Sequence, residues 1–362
     1  VGQFSIQLNH LEILMKQYRF SLIFSAICLG LAGYWGHRSG MGLGPALWIA
    51  FVLGLLEISL SFDNAVVNAS VLKTMDPFWQ KMFLTIGILI AVFGMRLVFP
   101  IVIVAVMTGL SSSEVINLAL NDAEQYGEIL TSAYPMIAAF GGAFLLMVFF
   151  KFAFDHEREI YWLSLFERPL AKLGKLESLE IILALTVVIV TAFSMPGDLR
   201  FDVMLAGVAG IILFVLISSL DGLFKMATGT AEENTTGASD ITKTVARNGL
   251  MAFLYLEVLD ASFSFDGVIG AFAITRDVVI IMLGLAIGAI FVRSITIDLV
   301  RRDALDQYIY LEHGAMYAIG VLAIIMFIGT KVHVPEVLTG CIGAAFIAAA
   351  FYSSLRHRRL KG

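Results

Sequence analysis

Leu56-Glu57-Ile58-Ser59-Leu60-Ser61-Phe62-Asp63-Asn64 places two carboxylates inside a run that is otherwise largely apolar from Pro45 to Leu72. Leu259-Asp260-Ala261-Ser262-Phe263-Ser264-Phe265-Asp266-Gly267 repeats the pattern, with each acid 203 residues further on. Written once, it is L-[E/D]-x-S-x-S-F-D-[N/G]. Ionisable groups in a membrane-length apolar run are costly and mark ion or proton paths. A second copy this close is not expected by chance.

The surroundings read as membrane. Of 362 residues, 59% are hydrophobic and only 15% charged, where a soluble domain carries roughly 25% charged residues. Mean hydropathy is +0.88. A net charge of −5 leaves no basic surface suited to nucleic acid. Cys28 and Cys341 both lie in apolar runs and read as small buried hydrophobes, not as a disulfide or zinc framework. Val1 to Arg19 lacks the basic, apolar, small-residue order of a cleavable signal, so the first span is expected to act as an uncleaved anchor.

Ten apolar runs are long enough to cross a hydrocarbon core: 18–36, 45–72, 82–106, 134–154, 178–195, 203–221, 249–272, 278–299, 311–330 and 335–355. Pro196-Gly197, between the fifth and sixth, would also suit a re-entrant turn. Frequent glycines (Gly87, Gly94, Gly141, Gly142, Gly284, Gly288) suit close helix packing. Under this count, Lys and Arg collect on one face: in 151–177, 222–248 and 300–310, in the tail Arg356-His357-Arg358-Arg359-Leu360-Lys361, and around Lys16, Arg19, Lys73 and Lys81. The link 107–133 has no Lys or Arg and falls on the other face. The bias predicts both termini in the cytoplasm.

Two stretches are expected not to span. Residues 155–177 read as an amphipathic helix on the inner surface, and 226–244 as a mobile cytoplasmic linker. The expected organisation is a cytoplasmic segment 1–17, a first membrane half 18–225 holding motif 56–64, a linker 226–248, a second half 249–355 holding motif 259–267, and a basic tail 356–362. Arg96 matches Arg293, and Gly87-Ile88-Leu89-Ile90 matches Gly284-Leu285-Ala286-Ile287, each 197 residues on. The motifs lie five spans apart and so run in opposite directions. The expected fold is an all-α polytopic membrane protein of about ten transmembrane helices built as two inverted repeats, with a site near the midplane.

Four carboxylates converging there could not all stay ionised without cations, whether protons or a metal ion. Carboxylates with Asn and Ser oxygens form a hard-oxygen set suited to Mn²⁺, Mg²⁺ or Ca²⁺; the motifs contain no His or Cys, which disfavours zinc and copper. Asn64, Asn68, Ser59, Ser61, Ser262 and Ser264 are the neutral candidates, weighed against plain interhelical hydrogen bonding. Glu57 and Asp63, six residues apart, sit roughly 240° around an ideal helix, whereas Glu57, Asn64 and Asn68 share a face. A helix broken near Ser-Phe-Asp in each copy, with freed carbonyls, is the favoured resolution; Gly267 suits such a break. Glu257, one turn before Asp260, reads as an extra ligand or relay, and its counterpart in the first copy is Gly54. Arg96 and Arg293 read either as counter-charges displaced by a cation or as fixed structural partners. His313 reads as interfacial, and Phe149, Phe150, Phe152 and Phe154 as lipid-facing bulk with Lys151 snorkelling.

The two motifs resemble those of the TerC family of integral membrane proteins, named for tellurium resistance, in particular a longer bacterial branch of unassigned function. The likeness covers mainly 45–106 and 249–300. It implies a multi-pass protein of the bacterial inner membrane that exports Mn²⁺, with Glu57, Asp63, Asp260 and Asp266 binding the metal and Asn64 assisting. The extra spans, the linker and Gly267 in place of Asn depart from that pattern.

The expectation is a secondary transporter exporting a divalent cation, Mn²⁺ favoured, through a carboxylate site between the repeats. Its partners would be the bilayer and the metal, with a homo-oligomer left open and nucleic acid excluded. The competing reading is a non-transporting scaffold in stress response or membrane-protein handling, acting through 155–177 and 226–244. An enzyme is not expected: the chain has no zinc-protease His-Glu pair, no Gly-x-Ser-x-Gly elbow and no phosphate-binding glycine loop.

Overall fold

A computed structural model describes the backbone of residues 2–176, 178–227, 238–302, 304–332 and 334–361. Side chains are described within these ranges except at 2–17, 220–227, 238–248, 265, 266, 273, 304, 306, 336, 337, 360 and 361. The described chain is helical, with no strand. In order it forms α1 (Gly2–Arg38), α2 (Leu43–Leu60), α3 (Phe62–Thr74), α4 (Pro77–Leu89), a π-helical stretch (Ile90–Val98) and α5 (Phe99–Thr108). Then come α6 (Ser112–Asn121), α7 (Ala123–Ser132), α8 (Tyr134–Ala153), α9 (Ser164–Leu173), α10 (Leu179–Phe193) and α11 (Arg200–Ala227). The rest is α12 (Ala238–Ile274), α13 (Val278–Arg301), α14 (Ala304–Gln307), α15 (Leu311–Gly329) and α16 (Glu336–Lys361).

Among the described residues, eight helices are long and apolar enough to cross a membrane: Tyr18–Arg38, Leu43–Leu60, Pro77–Thr108, Tyr134–Ala153, Arg200–Ser219, Val278–Arg301, Leu311–Gly329 and Leu338–Arg359. Large apolar side chains such as Trp48, Leu55, Leu89 and Phe201 stay on the outside of the bundle. This is the surface of a polytopic membrane protein, since hydrocarbon rather than water can cover it. The other two expected spans are also helical. Residues 179–193 form a 15-residue apolar helix, roughly 22 Å long at 1.5 Å per residue and so short of a ~30 Å core. Residues 249–272 belong to the 37-residue α12.

Local signals set the boundaries. The Asp76 carboxylate accepts from Phe78 N with Pro77 in the first turn, starting α4. Asp277 does the same for α13 through Val279 N and Ile280 N, and also receives the Trp35 indole N–H. Gly109, at φ 73°, closes α5. Inside the bundle, α8 packs on α11 and α15, and α13 on α1 and α2. At the α2–α13 contact, a Cβ on Gly284 would lie 3.0 Å from Ala50 O, and one on Gly288 3.0 Å from Gly54 O. Only glycine lets these backbones come so near.

Several expectations need correction. The amphipathic helix of 155–177 is only Ser164–Leu173. The loop before it folds back, so that buried Glu167 accepts from Trp162 N at 2.9 Å and from Tyr317 Oη at 3.0 Å. His313 is not interfacial: it is buried edge-on to Phe152, with Nε2 3.0 Å from Ile160 O. Phe149, Phe150 and Phe152 pack on the core and Phe154 is buried, because this helix has α11 and α15 on its two sides. The expected linker 226–248 is described only at its two ends. Residues 226–227 end α11 and 238–248 begin α12, while 228–237 lie outside the described residues. The outer link 107–133 carries two short helices, α6 and α7.

Candidate ion site

The first motif breaks its helix. Ser61 N donates to Glu57 O at 3.0 Å, which closes α2, and Ser61 takes φ −100° and ψ 17° before the chain restarts as α3. Glu57 is thus in the last turn of one helix and Asp63 in the first turn of the next, where the helix dipole suits a carboxylate. Asp63 Oδ1 accepts from Asn64 N at 2.9 Å. The second motif does not break. α12 runs unbroken from Ala238 to Ile274, because Gly267 takes an ordinary helical conformation and its missing Cβ serves clearance instead. An added Cβ there would lie 2.8 Å from Glu57 Oε2.

Around the break, α2, α3, the π-helical stretch, α12 and α13 converge on a buried network. Arg96 donates to Ala91 O and, as an ion pair, to Glu57 Oε1. The wider turn of a π-helix loosens the ordinary carbonyl pairing and lets an inward-facing side chain reach Ala91 O. Ser61 Oγ donates to the same Glu57 Oε1 at 3.2 Å. Asn64 Nδ2 donates to Asp260 Oδ1 at 2.8 Å. The Arg293 guanidinium lies 3.7 Å from the Phe83 ring centroid, beside the charges of Asp260 and Glu257. Gly87 makes room there: a Cβ on it would meet both Glu257 Oε1 and Arg293 Nη2. Asn64 Oδ1, Asn68 Oδ1 and Glu257 Oε1 are buried acceptors with no protein donor.

Two cavities meet at Glu57. One is a vestibule lined by Glu57, Ser61, Asp63, Tyr134, Gly267 and Thr339, among others. Its wall comes from the start of α8, the end of α12 and the start of α16. The second is an inner chamber lined by Glu57, Asn64, Asn68, Arg96, Asp260 and Arg293, among others. Among the described residues, Glu57 and Ser61 alone line both cavities.

The expected residues are therefore partly assembled. Glu57, Asn64, Asn68, Asp260, Arg96 and Arg293 share the chamber, and Ser61 lies at its edge. Asp63 faces the vestibule instead, its Oδ2 3.0 Å from where a Cβ on Gly343 would sit. The Asp266 side chain lies outside the described residues. Glu257 is buried near Arg293 but lines neither cavity, and Ser264 is buried with its hydroxyl unpaired. Ser59 and Ser262 each donate to a carbonyl of their own helix, Leu55 O and Val258 O, and neither lines the two cavities. Among the described residues no three His, Cys, Asp or Glu side chains come together closely enough to hold a metal ion. Arginines stand among these acids: Arg96 is paired with Glu57, and Arg293 lies beside Asp260 and Glu257. The vestibule wall (Tyr134, Thr339, Gly340) and the chamber residue Thr296 carry no signal in the sequence, because none of them lies near either motif.

A family model described as "Protein of unknown function (DUF475)" matches residues 62–361, from within the first motif through the second. No curated protein and no solved structure matches the chain.

Proposed function

The chain belongs to the family of proteins of unknown function DUF475, and we propose that it is a secondary transporter exporting a divalent cation, with Mn²⁺ the favoured cargo over Ca²⁺ and Mg²⁺. The observation that carries this reading is the buried carboxylate pair, Glu57 and Asp260, set with Arg96 and Arg293 where two helix motifs meet in a membrane-embedded bundle. Buried acids in such a place mark ion paths. Arg96 pairs with Glu57 and Arg293 lies near Asp260 while no cation is bound, and a cation would displace them. Asn64 and Asn68 supply further hard oxygens in the chamber and Asp63 a carboxylate in the vestibule, and Asp266, Ser61, Glu257 and Ser264 are the remaining candidates.

The reciprocal contacts support an inverted-repeat plan. Asn64 bonds the Asp260 carboxylate, and its counterpart Gly267 stands against the Glu57 carboxylate. Gly54 lies against Gly284, and their counterparts Glu257 and Gly87 also meet. Ten crossings would place both termini in the cytoplasm of a bacterial inner membrane. The TerC resemblance, resting on the two motifs, favours Mn²⁺.

Calorimetry with Mn²⁺, Ca²⁺, Mg²⁺ and Zn²⁺ on purified protein, paired with Mn²⁺ flux into vesicles, tests the reading. Saturable Mn²⁺ binding is expected, weakening as pH falls because protons compete for carboxylates, and lost together with flux in Asp63→Asn and Asp260→Asn. Unchanged Mn²⁺ flux in both variants would refute it.

One observation favours the scaffold reading. Glu57 already has its charge matched by Arg96, as a fixed structural clamp would. In that case Asp63→Asn leaves cellular activity intact, and deleting 228–237 abolishes it.

A further inference from the structure

The transporter reading leaves the division of labour among the acids open, and the two cavities assign it. We propose that a cation meets the chain at two separate stations, Asp63 in the vestibule and then Asp260 with Asn64 in the inner chamber, and that Glu57 is the gate between them. This rests on the transporter reading.

The geometry supplies three reasons. First, among the described residues Glu57 and Ser61 alone line both cavities. The two oxygens of Glu57 are turned to different sides. Oε1 is held by Ser61 and Arg96, and Arg96 lines the chamber. Oε2 stands against Gly267, which lines the vestibule. Second, the charges are unequal. Glu57 is paired with Arg96, and Asp260 has Asn64 and the nearby Arg293. Asp63 is buried and bonded only to its own helix start, with no cationic partner among the described residues. An incoming cation therefore meets its first uncompensated carboxylate at Asp63, and reaching Asp260 requires breaking the Glu57–Arg96 pair. Third, the chamber beyond the gate offers hard acceptors: Asn64 Oδ1 and Asn68 Oδ1 have no protein donor. A cation that passes Glu57 finds neutral oxygens beside Asp260, while Arg96, released from Glu57, keeps its bond to Ala91 O.

Cysteine accessibility tests this without any transported ion. Cys28 and Cys341 are first replaced by Ser, and single cysteines are placed at Thr339 in the vestibule wall or Thr296 in the chamber wall. In proteoliposomes, a charged, membrane-impermeant methanethiosulfonate should modify Thr339→Cys and leave Thr296→Cys unmodified. Adding Glu57→Ala should open Thr296→Cys to the reagent, whereas Glu57→Gln, which keeps the bulk, should not. The first contrast needs no change at Glu57, so a folding failure of Glu57→Ala does not remove the test. Mn²⁺ is the probe for the order of stations. It should slow modification of Thr339→Cys, with the protection lost in Asp63→Asn and kept in Asp260→Asn. Equal modification at both positions with Glu57 intact would overturn the gate. Equal loss of protection in the two aspartate variants would overturn the two stations. Absent flux with the accessibility contrast intact would sink the transporter reading and leave the barrier at Glu57 standing.

Discussion

The two copies of one nine-residue motif fold differently. The first, on α2 and α3, breaks at Ser61; the second runs straight through α12. The first places a bulky Asn64 against its partner's carboxylate, and the second places Gly267 there. The first is bare one turn upstream, at Gly54, where the second carries Glu257. The arginine partners differ as well. Arg96 sits in a π-helical stretch and is bonded to Glu57, while Arg293 sits in a regular helix over the Phe83 ring. An interface of two identical halves would have one chamber on its axis. Here the break turns Asp63 into the vestibule and leaves Glu57 on the boundary, so a nearly symmetric sequence makes two unlike cavities.

The largest expected effect tests the arginine difference. Removing one member of a buried ion pair leaves the other uncompensated, at about 3–5 kcal/mol. Arg96→Leu should therefore lower unfolding stability in detergent strongly, because Glu57 is then stranded; both side chains are 4% exposed. Arg96→Leu combined with Glu57→Gln should recover most of the loss. In the second copy, Asn64→Ala removes a neutral amide from Asp260, a hydrogen bond to a charged group worth about 1.5–3 kcal/mol. Equal losses for Arg96→Leu and Asn64→Ala would break the comparison, since the two carboxylates would then be held equally.

A smaller effect tests the clearance at Gly267. A Cβ there would stand 2.8 Å from Glu57 Oε2, the movable end of a side chain, and Ala in a helix interior gains about 1 kcal/mol over Gly. Gly267→Ala should therefore leave the melting temperature little changed and push Glu57 towards Arg96. In the accessibility experiment it should keep Thr296→Cys protected. The reciprocal change, Gly54→Ala, meets Ile287 at 3.0 Å and should cost stability without touching the gate. If Gly54→Ala alters protection at Thr296 as much as changes at Glu57 do, the gate does not lie where the cavities place it.

Much of this was legible in the sequence. The duplicated acids, the matched arginines and the shared face of Glu57, Asn64 and Asn68 come from spacing alone, and the chamber unites them. The six-residue spacing of Glu57 and Asp63 suggests the break at Ser61, yet Asp260 and Asp266, equally spaced, sit on an unbroken helix, so spacing alone does not decide it. The unbroken second copy could not be read, because Gly267 looks the same whether it bends a helix or clears a carboxylate 210 positions away in the chain. Nor could Asp63's separation from the other acids. Its direction after the break depends on how α3 packs against α13, α15 and α16. The burial of Phe149 to Phe154 and of His313 was hidden for a similar reason: an apolar face looks alike to lipid and to another helix.

The copies also differ in the connection after their second helix, and the smallest effect is expected there. The first copy leads into α6 and α7, while the second leads only into the short α14. α6 starts with a capping box in which Ser111 Oγ and N both bond the exposed Glu114 carboxylate, at 2.6 and 2.9 Å, holding its carboxyl below the usual range. A group whose folded value is lowered contributes stability above its unfolded value, and that contribution is lost as pH falls through the folded value. Amide exchange across 112–121 should therefore quicken in acid, and Ser111→Ala should remove most of that pH dependence. Ser111 lines neither cavity, so protection of Thr296→Cys should not change in Ser111→Ala. If it does, this connection is coupled to the gate, and the difference between the copies extends beyond their motifs.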